Sequence, residues 1–338
     1  AGSASGLANI VGELETRFND LMSIGMMRAL ALDPSLEKRI RAFAAVLGDH
    51  EKMLTALSES GSTELDPLIE SLRDYGWQLH AELADHASAA VNLAEKSQRA
   101  HEDTSLHLAI ATEYVLRSID RLEVRGRDSA GIAIQMDVSA NALELLNDAQ
   151  VERYNRRRDD LNAGDMAIYQ EGRDAGGLSV TFVYKTANLV GRLGDNGTAL
   201  RDSIRSDDVL WAIAGASMNA NILSHTRWAS HGVISVANCH PHNSALTGND
   251  AATPEAHLGA MYALNGDVDN HLELLEEFVS KRDLAVDAAI TTDAKIIPIA
   301  DRASATVGNS RLDQFLAATR RLDGSVAVGC IDPTEIGT

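Results

Sequence analysis

What this sequence has little of narrows its function first. Only two of its 338 residues are cysteines, Cys239 and Cys330, which excludes a disulfide framework and points to a reducing, cytoplasmic setting. Aromatic residues make up 4% of the chain although 45% of it is hydrophobic, so any core must be aliphatic and rich in alanine. Basic residues are too few: the net charge of −19 excludes the basic footprint of a general nucleic-acid binder and adhesion to anionic membranes. No apolar run approaches the roughly 20 residues that span a bilayer. The start, AGSASGLANI, has neither a basic nor an apolar segment of the signal-peptide kind. HExxH, the Walker A sequence and the GxSxG elbow are missing too. Gly191, Gly194 and Gly197 are spaced as a turn, not as a dinucleotide-binding loop.

Residues 1 to about 122 carry helical patterning. Asp33-Pro34 and Asp66-Pro67 have the form of a capping residue followed by a proline at the first helical position. Ile40, Phe43 and Leu47 recur at helical spacing after the first pair, and Leu68, Ile69, Leu72, Tyr75, Leu79 and Leu83 after the second. A further amphipathic helix is predicted from Thr104, with Leu108, Val115, Ile119 and Leu122 on its apolar face. Past Arg125-Gly126 the texture changes to short strand-like runs at 130–134, 178–184, 221–228, 259–265 and 325–331. Between about 137 and 177 lies a charged stretch predicted to be helical, whose Arg156, Arg157 and Arg158 read as a solvated face. Ser310 is a predicted cap for a helix over 312–322.

Four of the eleven histidines crowd into SHTRWASHG (224–232) and NCHPHNS (238–244). Metal ligation is the weaker reading, because neighbours on an extended chain, such as Cys239 and His240, point to opposite faces. No metal is expected. Four segments make sense together: LEVRGRDSAGIAI (122–134), the histidine-rich pair, ALNGDVDN (263–270) and ITTDAK (290–295), each at the end or edge of a predicted strand. Their Arg125, Arg227, His231, Asn265 and Asp293 suit a small zwitterion. Arginine binds a carboxylate in bidentate fashion, and aspartate takes an ammonium. Asn265-Gly266 offers a side-chain NH₂ and a backbone N–H to an oxyanion.

The order RGRDSAG, HTRWASHG, NCHPH, NG, TTD resembles the class II, N-terminal-nucleophile glutamine amidotransferases, in particular the glutaminase domain of glucosamine-6-phosphate synthase. The details are most similar to large actinobacterial relatives in which a helical insertion splits that domain and sugar-isomerase (SIS) domains follow. The resemblance runs from about Leu122 to Asp332. It implies an α+β fold, a four-layer αββα sandwich, with residues 1–110 as a helical insertion and 111–338 as the glutaminase-like part. It implies hydrolysis of glutamine to glutamate and ammonia for an amino-sugar-phosphate synthase, with no cofactor, SIS domains on the same parent polypeptide or in the same complex, and a homo-oligomer. On the matching positions, Arg227 and Asp293 would hold the α-carboxylate and α-amine of glutamine. Trp228, Ser230 and His231 would shape the pocket, Asn265 and Gly266 would form the oxyanion hole, and Arg125 would lie beside the nucleophile.

The family's nucleophile is an N-terminal cysteine whose free α-amine serves as base. Neither Cys239, inside NCHPH, nor Cys330 stands at that position. The nucleophilic strand is therefore expected ahead of Ala1 in a parent protein, and the family's last strands and SIS domains beyond Thr338. The alternative is a domain that binds glutamine without cleaving it. Lys295 departs from the synthases, which often carry an acid there.

Overall fold

A computed structural model describes residues 12–13, 15–19, 21–58, 65–97, 103–158, 166–172, 177–187, 192–228, 232–248, 258–305 and 310–334. The chain divides into two compact units, Ala1–Glu95 and Lys96–Thr338.

The first unit is helical. Helix α1 spans Ile24–Leu32, α2 Pro34–Ser58 and α3 Asp66–Trp77. A π-helical stretch, Gln78–Ala84, carries α3 directly into α4, Asp85–Leu93. Asp33 caps α2 as its sequence predicts: its Oδ1 accepts from Ser35 N (2.8 Å) and Leu36 N (3.3 Å), two of the amides a helix start leaves over. The second pair behaves differently. Helix α3 begins at Asp66 itself, and the Asp66 carboxylate accepts from Ser58 Oγ instead of capping. Leu30, Ile40, Leu47, Leu72, Leu79 and Leu83 form the core, whereas Phe43 is exposed. The apolar stripe of α2 therefore runs through Ile40, Ala44 and Leu47, a few tens of degrees from where Phe43 would centre it.

The second unit mixes helices with antiparallel sheets, an α+β fold. Helix α5 spans Asp103–Leu122 and leads through a short turn into strand β1, Ser129–Ser139. Then come α6 (Asp148–Arg158), β2 (Met166–Gly172), β3 (Gly177–Thr186), α7 (Asp195–Ser206), α8 (Asp208–Ala214) and β4 (Ser217–Arg227). Their sheet has the order β2-β3-β1-β4, with every pair antiparallel. The remaining elements are β5 (Thr247–Gly248), β6 (Met261–Val268), α9 (His271–Phe278), β7 (Leu284–Ala285), α10 (Ile296–Ala303), α11 (Arg311–Thr319) and β8 (Gly324–Ile331). Strands β6 and β8 pair as a second sheet.

The stretch 137–177 corrects the sequence reading. Among its described residues α6 is the one α-helix, because β1 runs on to Ser139 and residues 166–172 form β2. MAIYQEG alternates weakly, and its charged and glycine-rich surroundings hide it. Arg157 is also not a solvated side chain. It pairs with Asp207 at 2.7 Å and lies over the rings of Phe182 and Tyr184.

β1 is buried on both faces over most of its length, as expected of a central strand. Ala133 of β1, Ala167 and Tyr169 of β2 and Val183 of β3 share an apolar layer with Met261 of β6, joined by Leu223 and Ile331. The two sheets thus face each other through small and aliphatic side chains. On the far side of the second sheet, Ile296, Ile297, Ile299 and Ala300 of α10 and Ala318 of α11 pack with Tyr262, Leu264 and Val268. Two buried carboxylates organise the helices by the first sheet. Asp207 caps α8 through Val209 N and Leu210 N, and its other oxygen takes Tyr184 Oη at 2.6 Å. Glu123 accepts from Gly194 N, Asn196 N and Gly197 N at the start of α7, where negative charge is favoured.

Candidate functional site

At the end of β4 the chain emerges from the sheet, and four other segments meet it there. A cavity of about 110 Å³ is lined by Arg125, His225, Thr226, Arg227, Trp228, His240, Leu264, Asn265, Gly266, Thr292 and Asp293. Six residues singled out from the sequence thus come together: Arg125, Arg227, Trp228, Asn265, Gly266 and Asp293. Ser230 and His231, also expected here, lie outside the described residues.

Each arrives by its own local device. Arg227 is the last residue of β4, opposite Ser129 of β1, and its carbonyl accepts from Asp128 N. The 125–128 segment passes so close to β4 that a Cβ on Gly126 would sit 2.8 Å from Thr226 O. Glycine at this point brings Arg125 alongside Arg227. Asn265 and Gly266 belong to β6, in register with Ala327 and Val326 of β8, and not to the turn that Asn-Gly commonly marks. Gly266 has φ +131°, and a Cβ there would lie 1.7 Å from Ser325 O, so only glycine fits this crossing of strands. Asp293 opens a short helical turn ahead of α10. Its Oδ2 accepts from Val268 N at 2.7 Å and its Oδ1 from Thr292 Oγ1 at 3.3 Å.

The site has a cationic and an acidic member, both withdrawn from solvent: Arg227 is 4% exposed and Asp293 5%. Burial lowers the Arg227 pKa, opposed by the nearby Cys239, Asp293 and Asp128, and the guanidinium stays charged at any physiological pH. Trp228, 69% exposed, stands at the mouth. Asn265 and Gly266 are the exposed residues of β6 and line the cavity.

Two histidines, His225 and His240, line the cavity, and His242 packs against the second of them. His225 stacks on His240 at 4.4 Å between ring centres, and His240 meets His242 edge-on at 5.1 Å. Burial drives all three pKa values down, that of His225 to about 4, so the rings are neutral at pH 7. His240 Nδ1 accepts from Leu264 N, one residue before Asn265. His240 therefore stands in the cavity wall, although it is not among the residues singled out from the sequence. The signal was present but ambiguous: a histidine beside a proline serves equally well in a loop. Among the described residues, no three His, Cys, Asp or Glu side chains are grouped to hold a metal ion.

Neither cysteine belongs to the cavity. Cys239 is fully buried with Sγ toward His240 O at 3.3 Å, and burial raises its pKa. A buried thiol with a raised pKa is a poor nucleophile. Cys330, on β8, is exposed and also stands outside the cavity. A larger cleft of about 940 Å³ lies between β4, β8 and α11, but its Arg311 is already committed to Asp301 and Asp332. Among the described residues no helix is long and apolar enough to cross a membrane.

No family model matches the chain. Its sequence is 26% identical to the glutamine--fructose-6-phosphate aminotransferase [isomerizing] of Streptococcus pyogenes over 229 residues, 68% of this chain and 26% of that protein. It is 30% identical to the protein of the same name from Streptococcus mutans over 177 residues, 52% of this chain and 25% of that one. With the Bacillus subtilis protein of that name it shares 26% identity over 224 residues, again a quarter of the longer chain. The chain spans about a quarter of the length of these curated relatives. It carries a domain related to the glutamine--fructose-6-phosphate aminotransferases.

Proposed function

We propose that this chain is the amino-acid-binding body of a glutaminase domain, and that the parent protein hydrolyses glutamine to glutamate and ammonia for an amino-sugar-phosphate synthase. The observation that carries this reading is the single cavity that collects Arg125, Arg227, Asn265, Gly266 and Asp293 from four separate segments. A volume of about 110 Å³ restricts the ligand to something small. An α-amino acid supplies a carboxylate for Arg227 and an ammonium for Asp293. The side-chain amide of glutamine then extends toward Asn265 and Gly266.

In this reading a cysteine thiolate attacks the amide carbon. The carbonyl π electrons move to oxygen, and Asn265 Nδ2 and Gly266 N–H stabilise the oxyanion, worth about 3–4 kcal/mol for one such donor. Collapse expels the nitrogen, protonated, as ammonia and leaves a thioester, which water hydrolyses to glutamate and the free thiol. Arg125 stands beside the reacting atoms. The thiol comes from a segment of the parent protein outside these 338 residues, as neither Cys239 nor Cys330 fits. The paired sheets and flanking helices support the four-layer αββα arrangement of N-terminal-nucleophile hydrolases, with residues 1–110 as a helical insertion. SIS-type domains of the parent are the partner that consumes ammonia.

Titration calorimetry of the chain with glutamine tests the binding half. Micromolar to millimolar affinity is expected, reduced at least tenfold by Arg227→Ala and by Asp293→Asn, which corresponds to about 1.4 kcal/mol or more. Release of glutamate from glutamine by the intact parent protein tests the catalytic half. Binding without release, in a parent that has no N-terminal cysteine, would favour the second reading, a domain that senses glutamine.

A further inference from the structure

Asn238 contributes nothing to the cavity wall, yet its side chain is fully buried and uses all of its hydrogen-bonding capacity. Nδ2 donates to Val233 O (3.0 Å) and to Thr291 Oγ1 (3.0 Å). Oδ1 accepts from Thr291 N (2.7 Å) and Thr292 N (3.1 Å). One amide thus joins the loop that follows Arg227 and Trp228 to the two residues that precede Asp293. The same loops touch a second time at Gly232. It has φ +78°, and a Cβ there would stand 2.8 Å from Thr291 Oγ1.

The two buried charged members of the site, Arg227 and Asp293, are held unequally. Arg227 is fixed by the β1–β4 ladder. Asp293 follows an irregular segment, 286–292, with no ladder of its own. An α-amino acid carries its carboxylate and ammonium on the same carbon, so their partners must stand at one fixed separation. Misplacement by about 1 Å is enough to degrade such a site severely.

We propose that Asn238 is the positioning residue for recognition of the α-ammonium: by tying Thr291 and Thr292 to the Val233 loop, it sets Asp293 at the required distance from Arg227. This assignment rests on the glutamine reading of the cavity and deepens it, because it says which residue confers selectivity for an amino acid over the corresponding deaminated acid.

Two variants of the full chain, Asn238→Ala and the milder Thr291→Val, test it with two readouts. The first needs no ligand. Hydrogen exchange of the Val268 amide, which donates to Asp293 Oδ2, is expected to quicken at least tenfold in N238A and less in T291V. The second compares binding of glutamine with that of 4-carbamoylbutanoate, which lacks only the α-amine. Glutamine affinity is expected to fall tenfold or more in N238A while affinity for 4-carbamoylbutanoate is unchanged. T291V, which removes one bond of the four, covers the case in which N238A fails to fold. Unchanged Val268 exchange, or equal weakening of both ligands, overturns the assignment. Wild-type protein that binds neither compound overturns the glutamine reading and this assignment with it. The Val268 exchange distinguishes that failure from a failure of Asn238 alone.

Discussion

Lys295 shows how much a single side chain can store. It is 3% exposed, and its Nζ donates to Asn243 O at 2.8 Å and Asn243 Oδ1 at 3.3 Å. Burial first, and the neighbouring Lys185 second, lower its pKa from 10.5 to about 7. Between those values the unfolded chain holds a proton that the folded chain has released, so this residue makes stability rise with pH from about 7 to 10.5. The slope is at most about 1.4 kcal/mol per pH unit. Below pH 7 the full cost of burying the ammonium is present. Lys295→Met is expected to flatten the slope and to raise stability at neutral pH, as read from urea unfolding at pH 7, 8 and 9. The histidines act in a lower window. The folded pKa of His225 is about 4 against 6.5 unfolded, and those of His240 and His242 lie well below 6.5. The stability they contribute is present above pH 6.5 and is lost as pH falls toward 4. Replacing His242 by Phe is expected to reduce that acid sensitivity by one proton's worth in a pH titration of unfolding. Arg227, Asp293 and Asn265-Gly266 stand out in the sequence by charge and donor type, and the fold gathers them at one cavity. Asn238, His240 and the burial of Lys295 were not legible there, because their roles depend on which segments the fold brings together.

Elements were legible where a period dominates. The runs that became β1, β3, β4, β6 and β8 alternate or stay apolar, and Ser310 caps α11 by accepting from Asp313 N as its sequence predicts. β2 was missed because its period is short and its neighbours are charged. The capping role of Glu123 was hidden because its partners lie some 70 residues on, at Gly194, Asn196 and Gly197. Glu123→Gln weakens a charged cap at the start of α7 and is expected to cost about 1–2 kcal/mol in urea unfolding. It also loosens the turn that carries Arg125, so glutamine affinity should fall in parallel. Gly266→Ala brings a methyl against Ser325 O. Loss of β6–β8 pairing by about 2 kcal/mol or more is expected, seen as a lowered melting temperature before any effect on chemistry is considered.

At the scale of the whole molecule, every residue lining the cavity falls between Arg125 and Asp293, inside the second compact unit. That unit has its own buried layers on both sheets. A fragment of residues 96–338 is therefore expected to unfold cooperatively and to bind glutamine as the complete chain does, by the same titration. The sequence revealed a change from helical to strand patterning near Arg125. The compact units divide earlier, after Glu95, because α5 lies along β4 and α7 with the second unit although its apolar period matches the helices before it.

The pairing of Ser129 with Arg227 closes a loop of about a hundred residues, and Asp293 comes later still. Contacts this distant in sequence form slowly, since chain entropy is lost before they repay it. On a ribosome adding roughly 5–20 residues per second, Arg125 emerges on the order of ten seconds or more before Asp293. A nascent chain thus displays the arginines long before their acidic counterpart. Closure of the cavity is consequently expected among the last events of folding, and any glutamine binding should return after dilution from denaturant later than helical circular dichroism.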